Sequence, residues 1–187
     1  YSDIFSDTLC DLARKDRYIV AVTAAMPDGT GLSRFSVEFP DRFFQGGIAE
    51  ANMVGAAAGL AATGKVAFCG SFAEFISGRV YDQVRMMLAY GKANVKLASS
   101  HAGITLGEDG ATHQTMEDVA LMRALPGMTV VAPCDYNQAV AVTVAAAEYY
   151  GPVYMRFGRP VMPVFTEPGQ KFEIGKAYVM NEGTDVT

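Results

Sequence analysis

Apolar residues in this chain fall in short unbroken runs that alternate with longer stretches of helical periodicity. The first stretch sets Ile4, Phe5, Leu9 and Leu12 on one helical face, with Ser2 in place to cap it. Tyr18 to Val22 then reads as a strand, and Ala24 to Thr30, with Pro27 and Gly29, as a loop. Leu32 to Phe39 predicts a short helix stopped by Pro40. Phe43 to Ile48 is strand-like, and Glu50 to Ala62, rich in alanine and small residues, suits a helix packed closely against a neighbour. Val66 to Cys69 gives the next strand, Arg79 to Tyr90 a long helix and Val95 to Ala98 another strand. Met116 to Leu125, ended by Pro126-Gly127, reads as a helix. Met128 to Ala132 reads as a strand, Asp135 to Tyr149 as a helix and Val153 to Phe157 as a strand.

Strands that are apolar throughout and separated by helices predict an α/β fold. The expected architecture is a three-layer αβα sandwich with a mostly parallel sheet covered by helices on both faces. No internal repeat or low-complexity segment interrupts it. Residues 1–160 are expected to form this domain. From Pro160 onward Pro163, Pro168 and Gly169 mark 161–187 as an exit segment, with a small strand pair over Phe172 to Met180. Gly183 to Thr187, with no terminating helix, reads as a linker toward a further domain.

Half of the 187 residues are apolar, enough for a sizeable single core. A net charge of −5 without a basic stripe argues against nucleic acid as a partner. The apolar runs are too short for a membrane span, and Asp3 and Asp7 break up any signal-like opening, so a cytoplasmic domain is expected. Cys10, Cys69 and Cys134 are odd in number and widely spaced. They read as reduced, buried thiols, and with only two histidines they supply no metal cluster.

Three segments carry possible chemistry. Both histidines, His101 and His113, fall in a glycine-rich stretch with Glu108 and Asp109, just beyond the strand that ends at Ala98. Open α/β sheets bind ligands at that place, and imidazoles there can shuttle protons. An ordinary ordered turn with satisfied histidines explains the same residues. Glu50 opens a helix directly after a strand, which is either a fixed functional carboxylate or simple complementarity to the helix dipole. Phe72 and Phe75, three apart after a strand, are either core packing or a stacking platform for a planar ring. Gly-x-x-x-x-Gly-Lys-Ser/Thr and Gly-x-Gly-x-x-Gly turns are absent, which argues against a nucleotide-binding or kinase-like protein.

In this order, and with their surroundings, the three segments resemble the transketolase family of thiamine diphosphate enzymes. The likeness covers nearly the whole chain and is to the family's central, pyrimidine-binding domain. It rests on Phe39-Pro40-Asp41-Arg42-Phe43, Ile48-Ala49-Glu50-Ala51-Asn52-Met53, Gly78-Arg79-Val80-Tyr81-Asp82-Gln83, His101-Ala102-Gly103 and Gly107-Glu108-Asp109-Gly110-Ala111-Thr112-His113-Gln114. Arg123-Ala124-Leu125-Pro126 and Phe157-Gly158-Arg159-Pro160 extend it.

The resemblance implies transfer of a two-carbon ketol unit between sugar phosphates, as in the pentose phosphate pathway. By the same likeness Glu50 contacts the aminopyrimidine ring nitrogen, Ile48 joins the cofactor site, and Phe72 and Phe75 sandwich the ring. His101 and His113 are matched to catalytic histidines at the reacting end. Asp109 is matched to the carboxylate that reads a sugar hydroxyl, and Arg159, with Arg156 as a second candidate, to the arginine that binds the substrate phosphate. The diphosphate and its Mg2+ (or Ca2+) fall to a domain absent from this chain. The chain is therefore expected to be inactive alone and to work with a diphosphate-binding domain or subunit, as a homodimer or heterotetramer. Thr23 to Gly29 lacks an aspartate frequent in transketolases, as in the related deoxyxylulose phosphate synthases; His101 and Gly107-Glu108-Asp109-Gly110 fit a transketolase instead. A non-catalytic assembly subunit of this fold is the rival from another class.

Overall fold

The structure is a computed structural model that describes residues 1–179 and 182–185. Helix α1 (Ser2–Lys15) leads into β1 (Ile19–Thr23), α2 (Ser33–Glu38) and β2 (Phe43–Gln45). Helix α3 (Glu50–Ala62) and strand β3 (Val66–Phe72) follow, then the single turn α4 (Ala73–Ser77). Helix α5 (Tyr81–Gln83) runs on as a π-helical stretch (Val84–Tyr90) into β4 (Val95–Ser100). The last elements are α6 (Asp118–Arg123), β5 (Thr129–Val131), α7 (Tyr136–Glu148) and β6 (Val153–Arg156). The six strands form one sheet in the order β2-β1-β3-β4-β6-β5, and every pairing is parallel.

Alternation along each strand divides the apolar residues between two cores. Val20, Val22, Ala67, Cys69, Leu97 and Tyr154 pack with α3, the π-helical stretch and Met122 of α6. Ile19, Ala21, Phe68, Ala98, Val153 and Met155 pack on the opposite face with α1, α2 and α7. A period of two in a sheet buried on both sides produces this split, and it yields the expected three layers. Cys10 and Cys69 belong to these cores, and burial pushes the Cys69 thiol upward; Cys134 is only half-buried.

The structure corrects several boundaries. Ser2 does not cap α1; its hydroxyl donates to the Gly29 carbonyl, 3.2 Å away, and so ties the helix start to the loop after β1. Strands β3 and β4 run to Phe72 and Ser100, past the apolar residues that marked them, because in-register pairs such as Phe72↔Ser100 extend the ladder. The helix expected from Arg79 is preceded by α4 and separated from it at Gly78 to Val80, where Val80 leaves helical geometry. No strand pair forms over residues 172–179; Met180 lies outside the described residues. Gly175 turns the chain there at φ +91, and ahead of it Pro160, Pro163 and Pro168 remove backbone donors while Gly169 turns the chain at φ +75.

The segment after β6 is held another way. Asp135, buried at the start of α7, accepts from Gln138 N and also from the Phe165 and Thr166 backbone and the Thr166 hydroxyl. One carboxylate thus caps a helix and pins the exit segment to it. Burial pushes its pKa up, but these hydrogen bonds together outweigh that and bring it down to about 2.

Candidate active site

All six strands point the same way, so their carboxyl ends share one rim. The chain passes from β1 outward to β2 and returns across β1 to β3, which creates a switch point beside β1 where open sheets hold ligands. The registers Thr23↔Gly70, Phe72↔Ser100 and Ser99↔Arg156 bring the ends of β1, β3, β4 and β6 level.

Glu50 is the first residue of α3 and only 5% exposed. The helix's positive end favours a negative charge there. Arg79 donates from Nη1 to Glu50 Oε1 at 2.9 Å, and its guanidinium lies 4.0 Å over the Phe75 ring. Carboxylate and aromatic ring, 25 residues apart in sequence, are thus joined by one arginine. Ile48, two residues before Glu50, is 85% exposed.

Phe72 ends β3 and Phe75 sits on the α4 turn. Their rings are stacked, with centroids 6.0 Å apart and planes at 22°. The two rings thus stand as a near-parallel pair at the rim. The His101 imidazole stacks on Phe72 at 4.0 Å, while His113 meets Phe75 edge-on at 5.1 Å and Phe72 at 6.3 Å. Gly29, in the loop after β1, completes this wall. A side chain there would come within 2.8 Å of the Phe72 ring, and its carbonyl accepts from the Ser100 hydroxyl.

His101 takes a left-handed φ of +58, uncommon for any residue but glycine and a form of strain that collects at functional sites. Its Nδ1 lies 3.1 Å from the Ser100 hydroxyl. Burial, then the positive charge of Arg159, lowers its pKa, so the ring is neutral near pH 7. His113 sits on a short 3-10 turn (Gly110–Thr112), its Nδ1 2.9 Å from the Thr112 hydroxyl.

Asp109 and Arg159 face each other across solvent at 3.6 Å, both about two-fifths exposed, and Glu108 stands 3.8 Å from the same guanidinium. Arg159 also donates to the Leu106 carbonyl. Arg156 donates from Nε to the buried Asp118, 2.8 Å away. The fold therefore gathers Glu50, Phe72, Phe75, His101 and His113, sets Asp109 and Arg159 at the outer edge of the histidine loop, and leaves Ile48 outside. Sequence reading assigned no role to Arg79, Gly29, Ser100 or Asp118. Arg79 was legible only as part of a motif, because nothing local joins it to Glu50. Among the described residues, no three His, Cys, Asp or Glu side chains could hold a metal ion, and no helix is long and apolar enough to cross a membrane.

Against known protein families, residues 1–164 match the transketolase pyrimidine-binding domain. A putative transketolase C-terminal section from Methanocaldococcus jannaschii is 46% identical over 185 residues, 98% of this chain and 58% of that protein. A 1-deoxy-D-xylulose-5-phosphate synthase from Thermomicrobium roseum is 43% identical over 190 residues, covering all of this chain and 30% of the synthase. Among solved structures, a split-gene transketolase described as an inactive β4 tetramer superposes with a TM-score of 0.82 at 43% identity, over 91% of this chain and 55% of that one. The chain thus spans between about a quarter and three-fifths of the proteins it matches.

Proposed function

The chain belongs to the transketolase family as its pyrimidine-binding domain, and from that premise we propose that it forms the pyrimidine half of a ketol-transferring site. The complete protein, on this reading, moves a two-carbon ketol unit between sugar phosphates. One observation carries the proposal. A buried carboxylate at a helix N-terminus, two stacked phenylalanines and two histidines on those same rings converge at the carboxyl rim of a parallel sheet.

The donor set suits an aminopyrimidine. Glu50 supplies an acceptor, and its Oε2 takes no hydrogen bond from the described residues; Phe72 and Phe75 supply aromatic surface worth about 1 kcal/mol beyond area burial. Thiamine diphosphate, when bound, supplies the electron sink for breaking and making the carbon–carbon bond. Its diphosphate and metal are held by protein outside this chain.

The chain's own residues bind and orient. Glu50 would hold the aminopyrimidine ring nitrogen through a hydrogen bond at its free oxygen. Neutral His101 accepts or donates at a substrate hydroxyl, and His113 does so beside Phe75. Asp109 accepts from a sugar hydroxyl. Arg159 exchanges its loose contacts with Glu108 and Asp109 for the substrate phosphate, which its planar fork matches better. Arg156, the second candidate, is committed to the buried Asp118 and is left out of the phosphate contact on this reading.

The test is reconstitution. This chain, extended to its full length and combined with a diphosphate-binding polypeptide, thiamine diphosphate and Mg2+, is expected to transfer a ketol unit from a ketose phosphate to an aldose phosphate. Formation of 1-deoxy-D-xylulose 5-phosphate instead would assign it to the synthase branch, and no product of either kind would leave an assembly subunit.

A further inference from the structure

Residues 103–115 form a loop that leaves the domain and returns to it at a narrow neck. Gly103 and Thr115 pair as an isolated antiparallel bridge, with Thr115 N donating to Gly103 O at 3.3 Å. Gln114 Nε2 donates to Ile104 O just above, at 2.9 Å. His101 lies immediately before the neck and His113 just inside it.

An ion pair with a buried carboxylate and a partly exposed guanidinium spans that neck. Asp118 belongs to the outgoing leg, three residues past Thr115, and is fully buried. Its Oδ2 accepts from Arg156 Nε at 2.8 Å and from the Tyr154 hydroxyl at 2.8 Å, and both donors belong to β6. The far end of Arg156 lies against the incoming leg: Nη2 stands 3.3 Å from where a side chain on Gly103 would begin, and Gly103 is left-handed at φ +86. Ala102 N donates to the Phe157 carbonyl and fixes that leg to the same strand end. One guanidinium is therefore hydrogen-bonded to the outgoing leg and packed against the incoming one, anchored by a carboxylate sealed from water.

Such a pair is poorly explained by stability. Burying the Asp118 carboxylate is costly even with the partly exposed Arg156 beside it, and an apolar residue of similar volume is frequently as good or better. Asp118 Oδ1 has no hydrogen-bond partner among the described residues, and neither have the buried Thr115 Oγ1 and Ser99 Oγ beside the same neck and strand end. Packing alone would not favour leaving that much polarity under the loop. A planar fork gripped on one side does give a fixed direction on the other.

We infer that Asp118 is a positioning residue. It holds Arg156 as the clasp across the neck of the histidine loop and so sets where His101 and His113 stand over Phe72 and Phe75. The inference rests on the reading of this loop as the substrate-facing wall.

The test is the D118N/R156M variant in the complete assembled protein. The new amide still accepts from the Tyr154 hydroxyl, an unbranched thioether fills the space of the arginine stem, and no charge is left unpaired. Its thermal midpoint is expected to stay near that of the parent. Amide exchange over 101–117 should rise about tenfold while β3 and α3 keep their protection. The kcat/KM for the sugar phosphate should fall about tenfold, with thiamine diphosphate affinity within about twofold of the parent. Parent-like loop exchange in a folded double variant overturns the inference, and so does a loss of cofactor affinity equal to the loss of kcat/KM. If that variant does not fold, R156K keeps the charge and loses the fork; the same loosening is expected, and parent-like exchange again overturns the clasp. A parent protein that transfers no ketol unit sinks the functional reading alone, since the exchange measurement still judges the clasp.

Discussion

At the scale of single residues, the site is a set of groups whose surroundings restrict what each can do. Glu50 is buried and held on one oxygen by Arg79, so its carboxylate cannot swing. Glu50→Gln should preserve the fold and remove most turnover of the complete enzyme, because the amide fills the same space without taking the proton; near-parent kcat at saturating cofactor would take Glu50 out of that role. His101 gives a second prediction. Burial and Arg159 depress its pKa in the folded protein, so the unfolded chain binds its proton more readily. That contribution to stability is complete above the ordinary imidazole value and is lost as pH falls through the folded value. An NMR titration should find the His101 ring neutral at pH 7 with a midpoint below that of an unfolded histidine, and a midpoint at or above it would contradict the packing described here.

At the scale of elements, the rim opposite the site has its own buried charge. Lys96, near the amino end of β4, is fully buried and donates to Asn94 Oδ1 and to the carbonyls of Tyr149 and Gly151, where α7 ends. Burial brings its pKa down to about 7. Lys96→Met strands those acceptors, and a loss of about 2–4 kcal/mol in urea unfolding is expected with the site geometry unchanged. Asp135→Ala removes both the α7 cap and the anchor of the exit segment, so about 2 kcal/mol should go, with faster proteolysis near Thr166. Its contribution is present above the ordinary aspartate range and fades as pH falls toward about 2; a variant as stable as the parent at pH 7 would show that the segment is held by other contacts. Helix α3 was legible to the residue, from Glu50 to Ala62, because a helical run of alanines carries its own propensity. The α4 turn was not: five residues between a strand and a glycine have no period to read, and burial of Ala73, Ile76 and Ser77 fixes them.

At the scale of the whole molecule, we propose that residues 1–160 are the working domain and 161–187 the passage to the next. Ile48 is exposed just before α3, and Met86, Met87 and Tyr90 are exposed on the π-helical stretch packed beside it, where a side chain on Gly55 would begin 3.8 Å from the Met87 sulfur. Exposed apolar surface of this kind marks contact sites. The chain by itself is expected to self-associate and to show no ketol transfer. A strict monomer by light scattering at high concentration, or turnover by the isolated chain with cofactor and Mg2+, would overturn these two expectations.

The amino-acid sequence by itself determined the alternation of helices and apolar strands, and with it a parallel sheet in three layers, because those patterns are local and repeat at 3.6 or 2 residues. It also held the motifs that mark the family. What the tertiary structure decided is contact between residues far apart in sequence. It brought Glu50 to Phe75 through Arg79, set the Phe72 and Phe75 rings nearly parallel beside both histidines, and bound the histidine loop to β6 through Arg156 and Asp118. Strand order and register set those distances, and no window of sequence spans them.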